Sequence, residues 1–154
     1  MPKAKQTPSP NTRTPGTYGS EEIANSELER WPNDYSHRNY LVRFEIPEFT
    51  CLCPRSGFPD FAVIVVDYAP DAFVVELKSL KLYINTYRSR AISHESAVNT
   101  ILEDLLHLLN PRWMRITGEF NVRGNIKTIV TAEHLSDSYQ GPRPEYQKPG
   151  FQGI

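Results

Sequence analysis

Cysteine is nearly absent from this 154-residue chain: there are two, Cys51 and Cys53, one residue apart. Such a pair builds no disulfide framework and suits a reducing cytoplasm. An excess of charge of either sign is also missing. Lys plus Arg number 17 against 18 Asp plus Glu, a formal net charge of -1, whereas a protein that lives on nucleic-acid backbone normally carries a basic excess. Uninterrupted apolar runs are short; residues 61–66 form one of the longest, far below what a bilayer needs. No basic segment followed by an apolar one opens the chain, so no secretory signal is read. The eight glycines are scattered and form neither G-x-G-x-x-G nor a phosphate loop, which argues against a Rossmann nucleotide domain. These absences predict a small soluble cytoplasmic domain with no membrane and no direct nucleic-acid partner.

Proline is present but unevenly placed. Residues 1–20 hold Pro2, Pro8, Pro10 and Pro15 with Lys3, Lys5 and Arg13, and no acid before Glu21. Such a stretch cannot bury enough apolar surface to offset its ordering entropy, and it reads as a disordered arm. Residues 141–154 carry Pro142, Pro144, Pro149, Gly150 and Gly153 and read as an extended tail. Residues 21–140 between them have ordinary globular composition, enough for one core.

Within that core segment, residues 40–46 alternate, with Tyr40, Val42, Phe44 and Ile46 on one face, as a half-buried strand does. Residues 49–60, broken by Pro54, Gly57 and Pro59, are expected to be a loop. The β-branched run 61–68, a turn over 69–72 and the run 73–76 read as an antiparallel hairpin. Val98, Ile101, Leu102, Leu105 and Leu109 keep helical spacing between Ser93 and Asn110. Residues 78–87 fit either period, and helix is preferred. Two strands, 113–120 and 126–130, complete an order that predicts an α+β fold with a largely antiparallel sheet.

Residues 49–60 also place a thiol, Cys53, and a carboxyl group, Asp60, on one punctuated segment. A nucleophile and a proton donor can be set around one pocket in that way, because cysteine attacks as the thiolate and an acid must keep its proton until an intermediate needs it. Taken alone, the segment favours the plainer reading, Cys53 as a small buried hydrophobe and Asp60 as a turn cap. Cys51, Cys53 and His94 offer three zinc ligands, but a C-x-C pair without a second cluster is poor metal spacing, and no metal is expected. Glu95, in a first helical turn, suits the helix dipole without any ligand. Glu76, closing the run 73–75, is expected to be partly buried. Lys78 and Lys81 beside it, and Arg123 at a strand turn, are solvated cations in the plainer reading and phosphate contacts in the other.

Taken together, the segments resemble one family. Glu76-Leu-Lys-Ser-Leu-Lys-Leu-Tyr83 resembles the signature of the nitrile reductases that make 7-aminomethyl-7-deazaguanine in the queuosine pathway. Phe49-Thr-x-Leu-Cys-Pro54, Gly57-x-Pro-Asp-Phe61, His94-Glu95 and Phe120-x-x-Arg-Gly124 resemble it in order and spacing, over roughly residues 35–130. The length resembles the short, single-module branch. The family commonly shows Arg-Gly-Gly where this chain has Arg123-Gly-Asn125, and Cys51 stands outside the motif.

The resemblance implies the tunnelling fold, in which antiparallel sheets with two helices packed on one face close into a barrel by oligomerisation. The purine-like substrate then lies between subunits of a homo-oligomer. It implies an oxidoreductase that uses NADPH to reduce the nitrile of 7-cyano-7-deazaguanine, with Cys53 as the thioimide-forming nucleophile and Asp60 as the proton donor. Val75, Glu76, Leu77, His94 and Glu95 would bind the substrate, the carboxylates accepting from its guanine-like N1–H and 2-amino edge. Leu77, Lys78, Arg123 and Gly124 would contact the dinucleotide, with cations in place of a Gly-rich loop. Nitrile to primary amine takes four electrons, so two NADPH per turnover are expected. Two other readings stay open: a different purine- or pterin-processing enzyme of the same fold, and a non-catalytic purine-binding module in which Cys53 is inert.

Overall fold

The structure, a computed structural model, describes residues 17–150. In chain order it runs α1 (Thr17–Ala24), β1 (Arg30–Pro32), β2 (Val42–Leu52), β3 (Pro59–Ala69), β4 (Phe73–Val75), α2 (Leu77–Asn85) with a 3-10 turn after it (Thr86–Ser89), α3 (His94–Leu109), β5 (Trp113–Phe120) and β6 (Ile129–Leu135). The expected disordered arm lies outside the described residues over 1–16, and the chain is helical from Thr17.

Four strands form one antiparallel sheet in the order β2-β3-β5-β6, while β1 pairs with β4 as a separate ribbon. The hairpin expected between residues 61–68 and 73–76 does not form. Both edges of β3 are taken by the longer strands β2 and β5, so β4 leaves the sheet and pairs with Arg30–Pro32 instead. Nor are residues 49–60 all loop. Strand β2 passes Pro47 by a one-residue bulge between Ile46 and Phe49 and continues to Leu52. A bulge leaves a residue outside the ladder, which is how a strand accommodates a proline that lacks an N–H. The last strand begins at Ile129 rather than at residue 126, after a tight turn.

Helix α3 is bounded as its sequence predicts. The Ser93 hydroxyl accepts from Ser96 N at 3.1 Å, and Asn110 ends the helix at φ 43° before Pro111. Its buried stripe of Ala97, Val98, Ile101, Leu105 and Leu109 packs with Ile64, Val66, Met114, Ile116 and Phe120 of the sheet. Leu80 and Ile84 of α2 join the same core, so both helices cover one sheet face, the α+β arrangement expected. Gly118 lets α3 close on β5. A Cβ there would stand 2.8 Å from Val98 Cγ2 and 2.9 Å from Phe120 Cε2. Gly118→Ala is expected to destabilise by about 1–3 kcal/mol through overpacking, read from urea unfolding; an unchanged midpoint would contradict this close packing.

The other face of the sheet is covered at its centre, where every residue of β5 is buried, while β6 at the edge alternates between exposed and half-buried. Asp67 sits there between Arg43, at 2.7 Å, and Arg115, at 3.1 Å. Paired and hydrogen-bonded charges of this kind offset the desolvation that burial imposes. The C-terminal segment lies across them: Tyr139 packs with Ala69 and Trp113, Arg115 Nη1 donates to Pro144 O at 2.8 Å, and the Tyr146 hydroxyl donates to Glu119 Oε1 at 2.6 Å. Residues 141–150, neither helix nor strand, are thus an extended strap on the sheet.

Candidate active site

The β2–β3 hairpin sets Cys53 and Asp60 at one end of the sheet. Cys53 N donates to Phe58 O at 2.8 Å and Gly57 N donates to Cys53 O at 2.9 Å. Gly57 holds φ 72°, a left-handed position that suits a residue without Cβ. Across the hairpin Cys51 lies opposite Asp60. Leu52 is also stitched to the entry of α3, its N–H donating to Arg90 O and its carbonyl accepting from Ile92 N, each at 3.0 Å. That bridge brings His94, the first residue of α3, to the same end.

Four of the residues singled out from the sequence meet here. Asp60 is 6% exposed. Arg123 Nη1 donates to its Oδ1 at 2.6 Å, and His94 Nε2 lies 3.3 Å from its Oδ2. The His94 ring is stacked on Phe120, centroids 3.8 Å apart. Arg123 Nη2 donates to Ser56 Oγ at 3.0 Å. The Cys53 thiol is pulled down to about 6, first by the Ser56 hydroxyl, then by the backbone N–H groups of Ser56 and Arg55 and by Arg123. Cys51 is pushed up to about 11, chiefly by burial, with the Asp60 charge adding to it. Two thiols one residue apart are thus separated by environment, and Cys53 is the one held nearer to ionisation.

Arg123 reaches Asp60 and Ser56 from the β5–β6 connection. Arg123 N donates to Ile126 O at 2.9 Å and Ile126 N to Arg123 O at 3.0 Å, closing a two-residue turn with Gly124 at φ 55° and Asn125 at φ 67°. Positive φ at both central positions matches the twist of antiparallel strands. Asparagine tolerates that region better than most residues with a Cβ, so Asn125 preserves the turn where the family pattern has glycine.

Val75, Glu76, Leu77 and Lys78 stand together elsewhere, at the start of α2. Glu76 caps the helix: Oε1 accepts from Lys78 N at 2.8 Å and Oε2 from Ser79 N at 2.6 Å. Those backbone donors hold its carboxyl below the usual range. Glu76 lines an acidic cavity of about 450 Å³ with Glu29, Ser79 and the α1 residues Glu21 and Glu22. Lys78 Nζ lies 3.1 Å from Glu22 Oε1. Val75 is buried and Leu77 exposed; Glu95 is exposed beside His94.

A thiol ionised near neutrality, beside a buried carboxyl group and an imidazole, can add to an electrophilic carbon and protonate the atom next to it. Ser56 was not singled out from the sequence, and Phe120 entered only as the first residue of the Phe120-x-x-Arg-Gly124 pattern. The readable signal for Ser56 was a hydroxyl three residues after a thiol, just before a turn glycine. Among the described residues no group of three or more His, Cys, Asp or Glu is placed to hold a metal ion, and no helix is long and apolar enough to cross a membrane.

Residues 59–139 match the family model described as "QueF-like protein". The chain is 53% identical over 113 residues to the NADPH-dependent 7-cyano-7-deazaguanine reductase of Aquifex aeolicus, spanning 73% of this chain and 88% of that one. It is 51% identical over 119 residues to the protein of that name from Nitrosococcus oceani, covering 77% and 92%. Among solved structures it resembles the apo form of the archaeosine synthase QueF-Like, with a TM-score of 0.57 and 28% identity over 60% of this chain and 91% of that chain.

Proposed function

The chain belongs to the family of QueF-like proteins, and from that premise we propose that it reduces the nitrile of 7-cyano-7-deazaguanine to the primary amine with NADPH, in the cytoplasm, as a step toward queuosine in tRNA. The observation that carries this reading is the cluster of Cys53, Asp60, His94 and Arg123 at the β2–β3 end of the sheet.

Cys53 adds as thiolate to the nitrile carbon. A carbon–sulfur bond forms, one carbon–nitrogen π bond breaks, and Asp60 gives the proton to nitrogen, leaving a thioimide. His94, 3.3 Å from Asp60 Oδ2, is placed to exchange a proton with that carboxyl group. Covalent attachment holds the carbon for the first reduction; the carbon–sulfur bond then breaks, a sulfur that ionises readily leaving readily, and the imine so formed is what the second reduction takes to the amine. Glu76 and Glu95 hold the guanine-like edge, with Val75, Leu77 and His94 around them.

The residues assigned to the cofactor suit a dinucleotide in kind. Leu77 and Lys78 are exposed at the start of α2, and nothing lies within 4 Å of where a Cβ of Gly124 would stand. Lys78 and Arg123 would hold its phosphates. When bound, NADPH supplies the two hydrides that a four-electron reduction needs. Phe58, Phe61, Val122 and Ile126 expose an apolar rim, which supports a homo-oligomer with its sites completed between subunits.

The test is an intact mass spectrum after mixing the protein with 7-cyano-7-deazaguanine and no NADPH. Addition to a nitrile loses no atoms, so the mass is expected to rise by one whole substrate. Binding without a mass change would remove the covalent reading and favour a non-catalytic purine-binding module.

A further inference from the structure

Every residue from 121 to 127 is exposed. The apolar members of this connection, Val122 and Ile126, are 65% and 69% exposed, so core packing does not hold it. Within one subunit the place of Arg123 therefore depends on polar bonds. At the root of the connection Asn121 N donates to Phe61 O at 2.8 Å and Phe120 N to Thr128 O at 2.9 Å. On its far side Lys127, next to the Ile126 that closes the turn, donates from Nζ to Glu119 Oε2 at 2.8 Å.

Glu119 lies on the helix-free face of β5, two side chains along from Arg115. It is 8% exposed, and its other oxygen accepts from the Tyr146 hydroxyl at 2.6 Å. Lys127 first, then Tyr146, holds its carboxyl below the usual range. Tyr146 is itself fixed by the strap on either side of it. Arg115 Nη1 donates to Pro144 O at 2.8 Å, and Arg43 Nη1 to Gln147 O at 3.1 Å. Pro142, Pro144 and Pro149 restrict φ along the same stretch, which lowers the entropy lost when it docks.

We propose that Tyr146 is a positioning residue of this site: through Glu119 and Lys127, the C-terminal strap fixes the β5–β6 connection that aims Arg123 at Asp60. A carboxylate suits the junction because it has two oxygens, one for each element it joins. Buried as it is, it needs both partners, so loss of either costs more than at an exposed pair. The next residue, Phe120, carries the His94 ring on the opposite face, so the strap and the site lie on two sides of one strand.

This inference rests on the proposed function for what Arg123 and Asp60 do, but its first test needs neither nitrile nor NADPH. Amide hydrogen exchange is followed by mass spectrometry in a peptide covering 121–128 and in a reference peptide covering 61–69 of β3. Tyr146→Phe deletes one hydroxyl. It is expected to speed exchange of 121–128 by about tenfold, the scale of one charge-assisted hydrogen bond, and to leave 61–69 at the wild-type rate. Lys127→Met cuts the same path at its other end and should do the same. No change in 121–128 overturns the proposal. So does equal acceleration of both peptides, which is the mark of lost global stability.

The second readout is the rate at which the protein gains the mass of 7-cyano-7-deazaguanine. Tyr146→Phe should slow it, and so should Arg123→Lys, which keeps the charge and loses the fork. Combining the two should slow it no further than Arg123→Lys alone, because residues that act through one contact are not additive. Full additivity overturns the proposal. If the wild type gains no mass, the proposed function fails, and the exchange rates alone decide whether the strap holds the turn.

Discussion

Cys53→Ala is expected to bind 7-cyano-7-deazaguanine and to consume no NADPH, a loss of turnover of about 10⁴-fold or more, as removal of a covalent nucleophile produces. The fold has little reason to object. The hydrogen bonds that shape the turn use the backbone of Cys53, its N–H to Phe58 and its carbonyl from Gly57, and neither involves sulfur. Arg123 keeps its bond to Asp60. Stability should therefore stay within about 0.5 kcal/mol of wild type, the usual range away from packing or pairing defects. Calorimetric binding and NADPH absorbance measured on the same sample separate the two properties. Wild-type NADPH consumption by the variant would end the covalent mechanism.

Replacing Glu76 should produce the other large effect, with two variants separating its two tasks. Its carboxylate already accepts from two backbone amides as the cap of α2, while the proposed function asks it to hold the substrate edge as well. Glu76→Ser retains a good capping side chain and so should cost at most about 1 kcal/mol of stability. It cannot reach a ligand in the same way. Glu76→Gln keeps one carbonyl oxygen and turns an acceptor into a donor facing an N–H. Both variants should lose about 10- to 100-fold in substrate affinity, the scale of a missing charge-assisted hydrogen bond. Equal dissociation constants for Glu76→Ser and wild type would leave Glu76 with the cap alone.

The capping role was illegible in the sequence for a simple reason: Ser, Thr, Asp and Asn are the side chains that advertise a cap, and glutamate does not. Helix α3 shows the opposite case. Ser93, the apolar spacing and Asn110 before Pro111 are all local signals, and the structure follows them. Strand partners are not local. Nothing in the exposed triplet Arg30-Trp31-Pro32 marks it as the partner of residues 73–75, so the run after β3 was read with its nearest neighbour. The alternation was followed only to Ile46, and Pro54, Gly57 and Pro59 were read as marking a loop from residue 49, whereas the strand spends one bulged residue between Ile46 and Phe49 and goes on to Leu52. In the site, the joint presence of Cys53 and Asp60 on one segment could be read directly. That Arg123 would bind Asp60 could not, because it depends on where a turn about 60 residues downstream aims one side chain.

The two backbone hydrogen bonds between Leu52 and residues 90–92 have a consequence for the binding step. They join the strand that ends at the thiol to the segment that begins the helix of His94. The short turn over residues 53–58 is closed by its own backbone bonds. The entropy of ordering these groups is lost when the chain folds, so little of it remains to be lost when a ligand arrives. A site built in this way is preorganised: the segments that carry the Cys53 thiol and the His94 imidazole are tied together by bonds made on folding, and under the proposed function binding energy is left over for the reaction itself.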